Sequence, residues 1–198
     1  MTTALLLSGG MDSIALAWWL RPTLSFTIDY GQQPAAAEIR ASEAVADSLG
    51  IAHEVIRADL SSLGSGDLAG SQPLEIAPVR EWWPYRNQML ITLAAMRGIS
   101  LGVSRLLIGT VKSDSAHLDG TISFISSINH LMQQQEGQIS IEAPAINLSA
   151  CDLLRISGVP MEILAWAHSC HTANEACGFC RGCRKHYETL LEFGVEPY

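Results

Sequence analysis

The chain opens on an apolar run at residues 4–7 that stops at Ser8-Gly9-Gly10. An unbroken apolar run closed by glycines is the pattern of a parallel strand buried on both faces. Residues 13–20 carry helix-forming content up to Arg21-Pro22, where proline disfavours helical geometry in the residue before it. Residues 23–28 return to β-branched and aromatic side chains and read as a strand. Over residues 35–49, Ala36, Ile39, Ala44, Val45 and Leu49 fall on a helical face, with Gly50 in the C-cap position. Residues 53–57 supply the next strand. This alternation predicts an α/β fold with a doubly wound parallel sheet joined by right-handed crossovers. The pattern lapses at residues 61–72, a Gly- and Ser-rich stretch expected to be a flexible surface segment. It resumes with a helix over 87–101, a buried strand over 105–109, a helix of mixed character over 120–135, and two short helices over 149–157 and 160–167. The expected division is a nucleotide-binding region at 1–145 and a small helical, metal-binding region at 146–198, packed as one compact unit.

Composition narrows the function classes. With 198 residues, 48% of them hydrophobic and 16% charged, the chain suits one domain with a real core. Its longest apolar runs fall well short of the roughly 20 residues needed to cross a bilayer. The first residues show no basic lead of a secretory signal, and a cytoplasmic location is expected. A formal net charge of −8 argues against sequence-independent nucleic-acid binding, which draws its affinity from Lys and Arg displacing counterions. Arg181, Arg184 and Lys185 form the dense basic group, and they sit among cysteines, where cations can offset thiolate charge.

Ser8-Gly9-Gly10-Met11-Asp12-Ser13 lies between the first expected strand and the first helix. A helix starting at the carboxyl end of a parallel strand points unpaired N–H groups and a partial positive charge at a ligand. Glycines let the main chain approach a phosphate closely, and Ser8 and Ser13 add hydroxyl donors. Asp12 would repel phosphate by itself, so its place here suggests Mg²⁺ shared with ATP. The plainer alternative is a turn with Asp12 as an N-cap. No Gly-Lys-Ser/Thr follows, so the loop is not of the Walker form. The hexapeptide resembles the signature of the PP-loop ATP pyrophosphatases. That resemblance implies cleavage of ATP between its α- and β-phosphates and transfer of AMP to a substrate oxygen, which a nitrogen nucleophile can then displace.

Cys170, Cys177, Cys180 and Cys183 give the spacing C-x6-C-x2-C-x2-C. Four thiolates so placed can close a tetrahedral Zn²⁺ site of the structural kind, and an iron–sulfur cluster is the alternative. Cys151 lies outside the spacing and reads as a small core residue. His168, His171 and His186 flank the group, with His171 the candidate substitute ligand.

Both motifs together, with Tyr30-Gly31-Gln32 after the second strand, Arg86-Asn87 opening a helix and Gly109 ending a strand, look like the 7-cyano-7-deazaguanine synthase (QueC) family over nearly the whole chain. The resemblance implies ATP- and ammonia-dependent conversion of 7-carboxy-7-deazaguanine to amide and then nitrile, a zinc site and a homodimer. By position, Ser8, Gly9, Gly10, Met11, Asp12, Ser13, Arg86, Asn87 and Gly109 would hold the nucleotide. Tyr30, Gln32, His117 and Asp119 would contact substrate, and Asp12, Lys112 and Asp114 would serve catalysis. The chain also departs from the family. Asp114-Ser115-Ala116-His117-Leu118-Asp119-Gly120 replaces a segment that carries Tyr, Pro and Arg, Gln33-Pro34 stands for Arg-His, and Ser149 stands for a Lys. Lys112 would compensate for missing charge. These departures leave two other readings open: the same activation with a larger amine such as a protein N-terminus, and a nucleotide-binding, zinc-braced interaction module without catalysis. A tRNA-thiolating PP-loop reaction is disfavoured by the acidity.

Overall fold

The computed structural model describes residues 2–196. Five strands, β1 (Thr2–Leu6), β2 (Leu24–Asp29), β3 (Ala52–Arg57), β4 (Val103–Leu107) and β5 (Ser140–Glu142), form one sheet in the order β3-β2-β1-β4-β5. Every neighbouring pair runs parallel. The intervening helices are α1 (Met11–Leu20), α2 (Ala35–Leu49), α3 (Arg86–Ser100) and α4 (Ile122–Gln133). A C-terminal group follows with α5 (Ala150–Ser157), α6 (Met161–Leu164) and α7 (Arg181–Phe193).

The unbroken apolar stretches at β1 and β4 are explained by two separate cores. Successive strand residues point to opposite faces. Leu5 and Leu107 therefore join Ile14, Leu16 and Val45 beneath α1 and α2, while Ala4 and Leu106 join Ile91, Ile125 and Ile128 beneath α3 and α4. Winding from β1 through β2 to β3 leaves helices on one face, and winding back through β4 to β5 leaves them on the other. Residues from the C-terminal group complete the first core, since Leu153, Leu154, Leu164 and Leu190 are all buried in it.

Chain reversals follow local chemistry. Arg21 ends α1 in the left-handed region at φ 45°, donating its N–H to Ala17 O at 3.1 Å, and Gly50 ends α2 at φ 65°. Thr121 Oγ1 accepts from Phe124 N at 3.3 Å to start α4, and Ser149 Oγ accepts from Asp152 N at 3.0 Å to start α5.

Three differences from the sequence expectation have physical causes. Residues 61–72 are a folded loop with two 3₁₀ turns, Ser61–Leu63 and Asp67–Ala69, and both Ser65 and Leu68 are buried. Gly64 permits this, because a Cβ there would lie 2.7 Å from the Trp83 ring. Strand β5 has three residues, two of them polar, too short for a hydrophobic period to register. Helix α7 carries charge on most of its turns, and its apolar residues arrive only near its C-terminal end. No helix among the described residues is long and apolar enough to cross a membrane.

Leu154 sits in the seam between the C-terminal helices and α1 with no exposed surface. Leu154→Ala is expected to lower unfolding free energy by about 2–5 kcal/mol. Urea titration will show this as a lower midpoint at unchanged slope.

Candidate active site and metal centre

Residues 8–10 join β1 to α1. Leu7 O, just past β1, accepts from two hydroxyls, Thr27 Oγ1 at 2.5 Å and Ser42 Oγ at 2.9 Å, which fixes where the loop departs. Gly9 then turns at φ 74°, and a Cβ on it would come 2.7 Å from Glu38 O. Ile14 N closes the first intrahelical bond of α1 onto Gly10 O at 3.1 Å. The N–H groups preceding it in the first turn have no partner within the helix. Ser13 Oγ donates to Gly10 O at 2.9 Å and lies 3.2 Å from Ser8 Oγ, and Gly9 O accepts from His168 N at 2.8 Å, so the C-terminal segment is tied to the loop.

The loop borders a cleft of about 310 Å³ beyond the carboxyl ends of β1 and β4. That is the point where the sheet reverses its winding, the place where open α/β sheets bind ligands. One end of the cleft is largely apolar, with Phe26, Ile28, Leu90, Ile91 and Ile108 around Tyr30, Glu38 and Arg86. The other end is charged, with Asp12, Glu81, Asp114, Arg181 and Lys185.

At the apolar end, Tyr30 packs edge-on against Trp83 with ring centroids 4.9 Å apart. Burial raises its phenol pKa despite the neighbouring Arg86. Gln32 lies behind the wall. Its Oε1 accepts from Tyr30 N at 2.9 Å, and its Nε2 donates to Ile28 O at 3.1 Å and Glu38 Oε2 at 2.7 Å. Burial pushes the Glu38 carboxyl up to about 7, against the pull of Gln32 and Arg86. Asn87 and Asp119 clamp each other: Asp119 Oδ2 accepts from Asn87 N at 3.2 Å, and Asn87 Nδ2 donates to Asp119 O at 3.1 Å. Asn87 thus borders the cleft and Asp119 stands behind it.

At the charged end, Lys185 Nζ donates to Asp12 Oδ2 at 2.9 Å and to Asp114 Oδ1 at 3.2 Å. Burial works against the Lys185 ammonium, but the two carboxylates overcome it and raise its pKa. For Asp12 burial dominates and raises the carboxyl, with Lys185 offsetting only part. The second Asp12 oxygen, Oδ1, is buried without a partner. With Asp114 it offers the hard oxygen donors that suit Mg²⁺. Glu81 is buried, accepts from Arg181 Nη1 at 2.5 Å and lies 3.6 Å from His117 Nε2. Burial alone would raise it, yet hydrogen bonds from His117, the main chain and Arg181 bring it down to about 2.

The cleft walls include Ser8, Gly10, Met11, Asp12, Ser13, Tyr30, Arg86, Asn87, Gly109, Asp114 and His117, with Gly9 forming the turn beneath them. Gly109 lets β4 approach α1, since a Cβ there would stand 3.3 Å from the Ser13 main chain. Lys112 is not among these walls. Its side chain is exposed, and its N–H is tied to Leu148 O at 2.9 Å. The ammonium at Asp12 and Asp114 comes instead from Lys185. Sequence reasoning placed Arg181 and Lys185 as counterions to the thiolates and passed over Glu38 and Glu81. The available signal was the four-residue spacing of Arg181 and Lys185, which aligns them on one helical face.

The four sulfurs of Cys170, Cys177, Cys180 and Cys183 all lie within 4.8 Å of one another. Cys177 to Cys183 is 3.9 Å and Cys170 to Cys180 is 4.0 Å. A tetrahedron with Zn–S bonds of about 2.3 Å has edges of about 3.8 Å, so the set fits Zn²⁺. Main-chain N–H groups of His171, Cys180 and Cys183 each point at a sulfur at 3.4 Å, as thiolates require. Cys180 is also the N-cap of α7. The sulfur group includes none of the three neighbouring histidines. His168 Nε2 is 3.0 Å from Ala173 O, His186 Nδ1 is 3.0 Å from Ser169 Oγ, and His171 borders the cleft.

A doubly wound parallel sheet with a glycine turn at the head of α1, opening on a cleft at the switch point, defines an α/β protein of the PP-loop kind. The family model described as "Queuosine biosynthesis protein QueC" matches residues 2–194, and the chain belongs to that family. It is 32% identical over 211 residues to a 7-cyano-7-deazaguanine synthase of Desulforudis audaxviator, covering 93% of this chain and 94% of the relative. It is 33% identical over 215 residues to one of Pseudomonas syringae pv. tomato, covering 96% and 93%. Among solved structures, the NMN synthetase of Francisella tularensis is similar in fold, with TM-score 0.51 and 16% identity over 100% of this chain and 79% of that one.

Two outcomes are expected. Glu38 has a folded pKa raised from 4.5 to about 7, so its contribution favours folding fully below pH 4.5 and is lost as pH rises toward 7. Urea unfolding of wild type and Glu38→Gln across pH 4.5–8 will show wild type losing ground to the variant over that window and no further change above it. Cys180→Ala removes both a candidate metal ligand and the side-chain cap of α7. Purified variant protein is expected to lose bound zinc and to be cut by trypsin within residues 170–190 far faster than wild type.

Proposed function

We propose that the chain is an AMP-forming, ATP-dependent ligase that activates 7-carboxy-7-deazaguanine and passes it to ammonia. The observation that carries this reading is the glycine turn with its free N–H groups, set at the switch point of a protein from a family of 7-cyano-7-deazaguanine synthases. Ser8, Gly9, Gly10, Met11 and Ser13 would hold the ATP phosphates at the head of α1, with Gly109 giving room for the nucleotide beside β4. Arg86, Asn87 and Tyr30 would orient the bases at the apolar end, and Gln32 and Asp119 would keep those side chains in place. Asp12 and Asp114 fit a Mg²⁺ ion, whose chemistry is to draw charge from the phosphates. The four-cysteine set fits Zn²⁺ in a structural role, holding α7 against the loop.

The acid oxygen attacks Pα, the Pα–O bond to Pβ breaks, and pyrophosphate leaves with the electron pair. The acyl-adenylate then accepts ammonia at carbon, AMP departs and a proton is lost, which gives the amide. A second ATP adenylates the amide oxygen, and loss of AMP and a proton leaves the nitrile.

The test is incubation with ATP, Mg²⁺, the deazapurine acid and ammonia, followed by mass spectrometry and pyrophosphate measurement. Nitrile, AMP and pyrophosphate together support the assignment. A deazaguanine mass on a polypeptide moves the nucleophile to a protein amine, and ATP bound without AMP formation removes catalysis altogether. Gly9→Ala, which drives a methyl into Glu38 O, is expected to cut turnover by about 100-fold or more through loss of the phosphate-binding main chain.

A further inference from the structure

The cleft receives its cations unequally. Arg86 stands beside Tyr30 and Glu38, with Asp119 and Asp114 also within its electrostatic reach but no contact to Asp12, and Arg181 is engaged by Glu81. Among the described residues lining the cleft, Lys185 alone brings a cation to the loop, 2.9 Å from Asp12 Oδ2 and 3.2 Å from Asp114 Oδ1. As a purely structural device this arrangement is poor. Two carboxylates share one ammonium, and Asp12 Oδ1 stays buried with no partner. Leaving a buried charged oxygen unsatisfied costs more than a neutral replacement would. A lysine is well suited to change partners here, being a compact charge on a flexible stem. Its helix is held still: Cys180 caps α7, Cys183 lies in the first turn, and Arg181 is fastened to Glu81. Gly182 packs so closely that a Cβ there would overlap Ser169 O.

We propose that Lys185 is a catalytic residue of adenylyl transfer, delivered to the phosphate loop by the metal-ordered helix. Asp12 and Asp114 hold the ammonium in place until ATP and the acid are bound. It then moves onto the phosphoryl oxygens where negative charge builds as the acid oxygen bonds to Pα and pyrophosphate departs with the electron pair. The glycine turn and the cysteine cluster, 160 residues apart in the chain from Gly10 to Cys170, thereby form one working unit.

This assignment rests on the adenylation chemistry proposed for the cleft. The test is therefore acid-dependent exchange of labelled pyrophosphate into ATP, which reads adenylation without any nucleophile. Lys185→Met is expected to slow exchange about 100-fold, while its Kd for ATP stays within about threefold of wild type and its zinc content is unchanged. Lys185→Arg is expected to regain at least about tenfold over the Met variant, because it restores a charge at the same place. Exchange by Lys185→Met within about threefold of wild type overturns the assignment, as does a loss matched in full by weaker ATP binding. Lys185→Gln is read beside it: loss of zinc in both variants, with exchange falling in step, makes the lysine a folding residue and also overturns it. Wild-type protein that exchanges no pyrophosphate with the deazapurine acid overturns the adenylation reading first, and this assignment with it.

Discussion

The structure depends on a reversal of winding at β1. The chain builds outward to β3 on one side, returns to place β4 on the other, and so sends the flanking helices to opposite faces of the sheet. No connection can cover the carboxyl ends of β1 and β4 together, and the gap between them is the cleft. Just past β1, the Leu7 carbonyl is held by hydroxyls from β2 and α2, so the main chain leaves the sheet in one direction. Gly9 can then turn against α2 because it carries no side chain. The unpaired donors of α1 face the cleft as a consequence of topology.

Around that gap the chain separates two environments. The end formed by β2 and α3 is walled by aliphatic and aromatic side chains and keeps only a few polar groups, of which Glu38 is braced from behind by Gln32 and Asn87 by Asp119. Such a surface suits a planar heterocycle, which gains from apolar contact and needs few directional bonds. The end formed by the C-terminal segment concentrates charge of both signs. Electrostatic interactions there act over short distances in a partly dry space, where they are stronger than in water. A nucleotide has the same division, with a base at one end and phosphates at the other.

The alternation of apolar runs and helical faces made the first four strands, the first six helices and the position of the phosphate loop legible, because each of those features is local. The cysteine spacing was legible for the same reason. Elements supported mainly from elsewhere were not. Strand β5 is three residues long and exists because β4 offers an edge to pair with. Helix α7 begins at a cysteine cap and gains its apolar contacts from α5 and the first core. Lys112 and Lys185 were indistinguishable as letters, and Lys112 had the better neighbourhood in sequence. Its exposure follows from the 3₁₀ turn it opens, while Lys185 reaches Asp12 across a separation of 173 residues that no local pattern encodes.

That long-range contact bears on how the protein is made. A ribosome releases β1, the glycine turn and α1 early, and the sheet can assemble as later strands emerge. Asp12 and Asp114 nevertheless face each other with no neighbouring ammonium until residue 185 has left the exit tunnel and the cysteines have gathered α7 against the loop. The charge arrangement at the loop is therefore completed only after β1 to β5 have all been made, because its cation lies C-terminal to every strand.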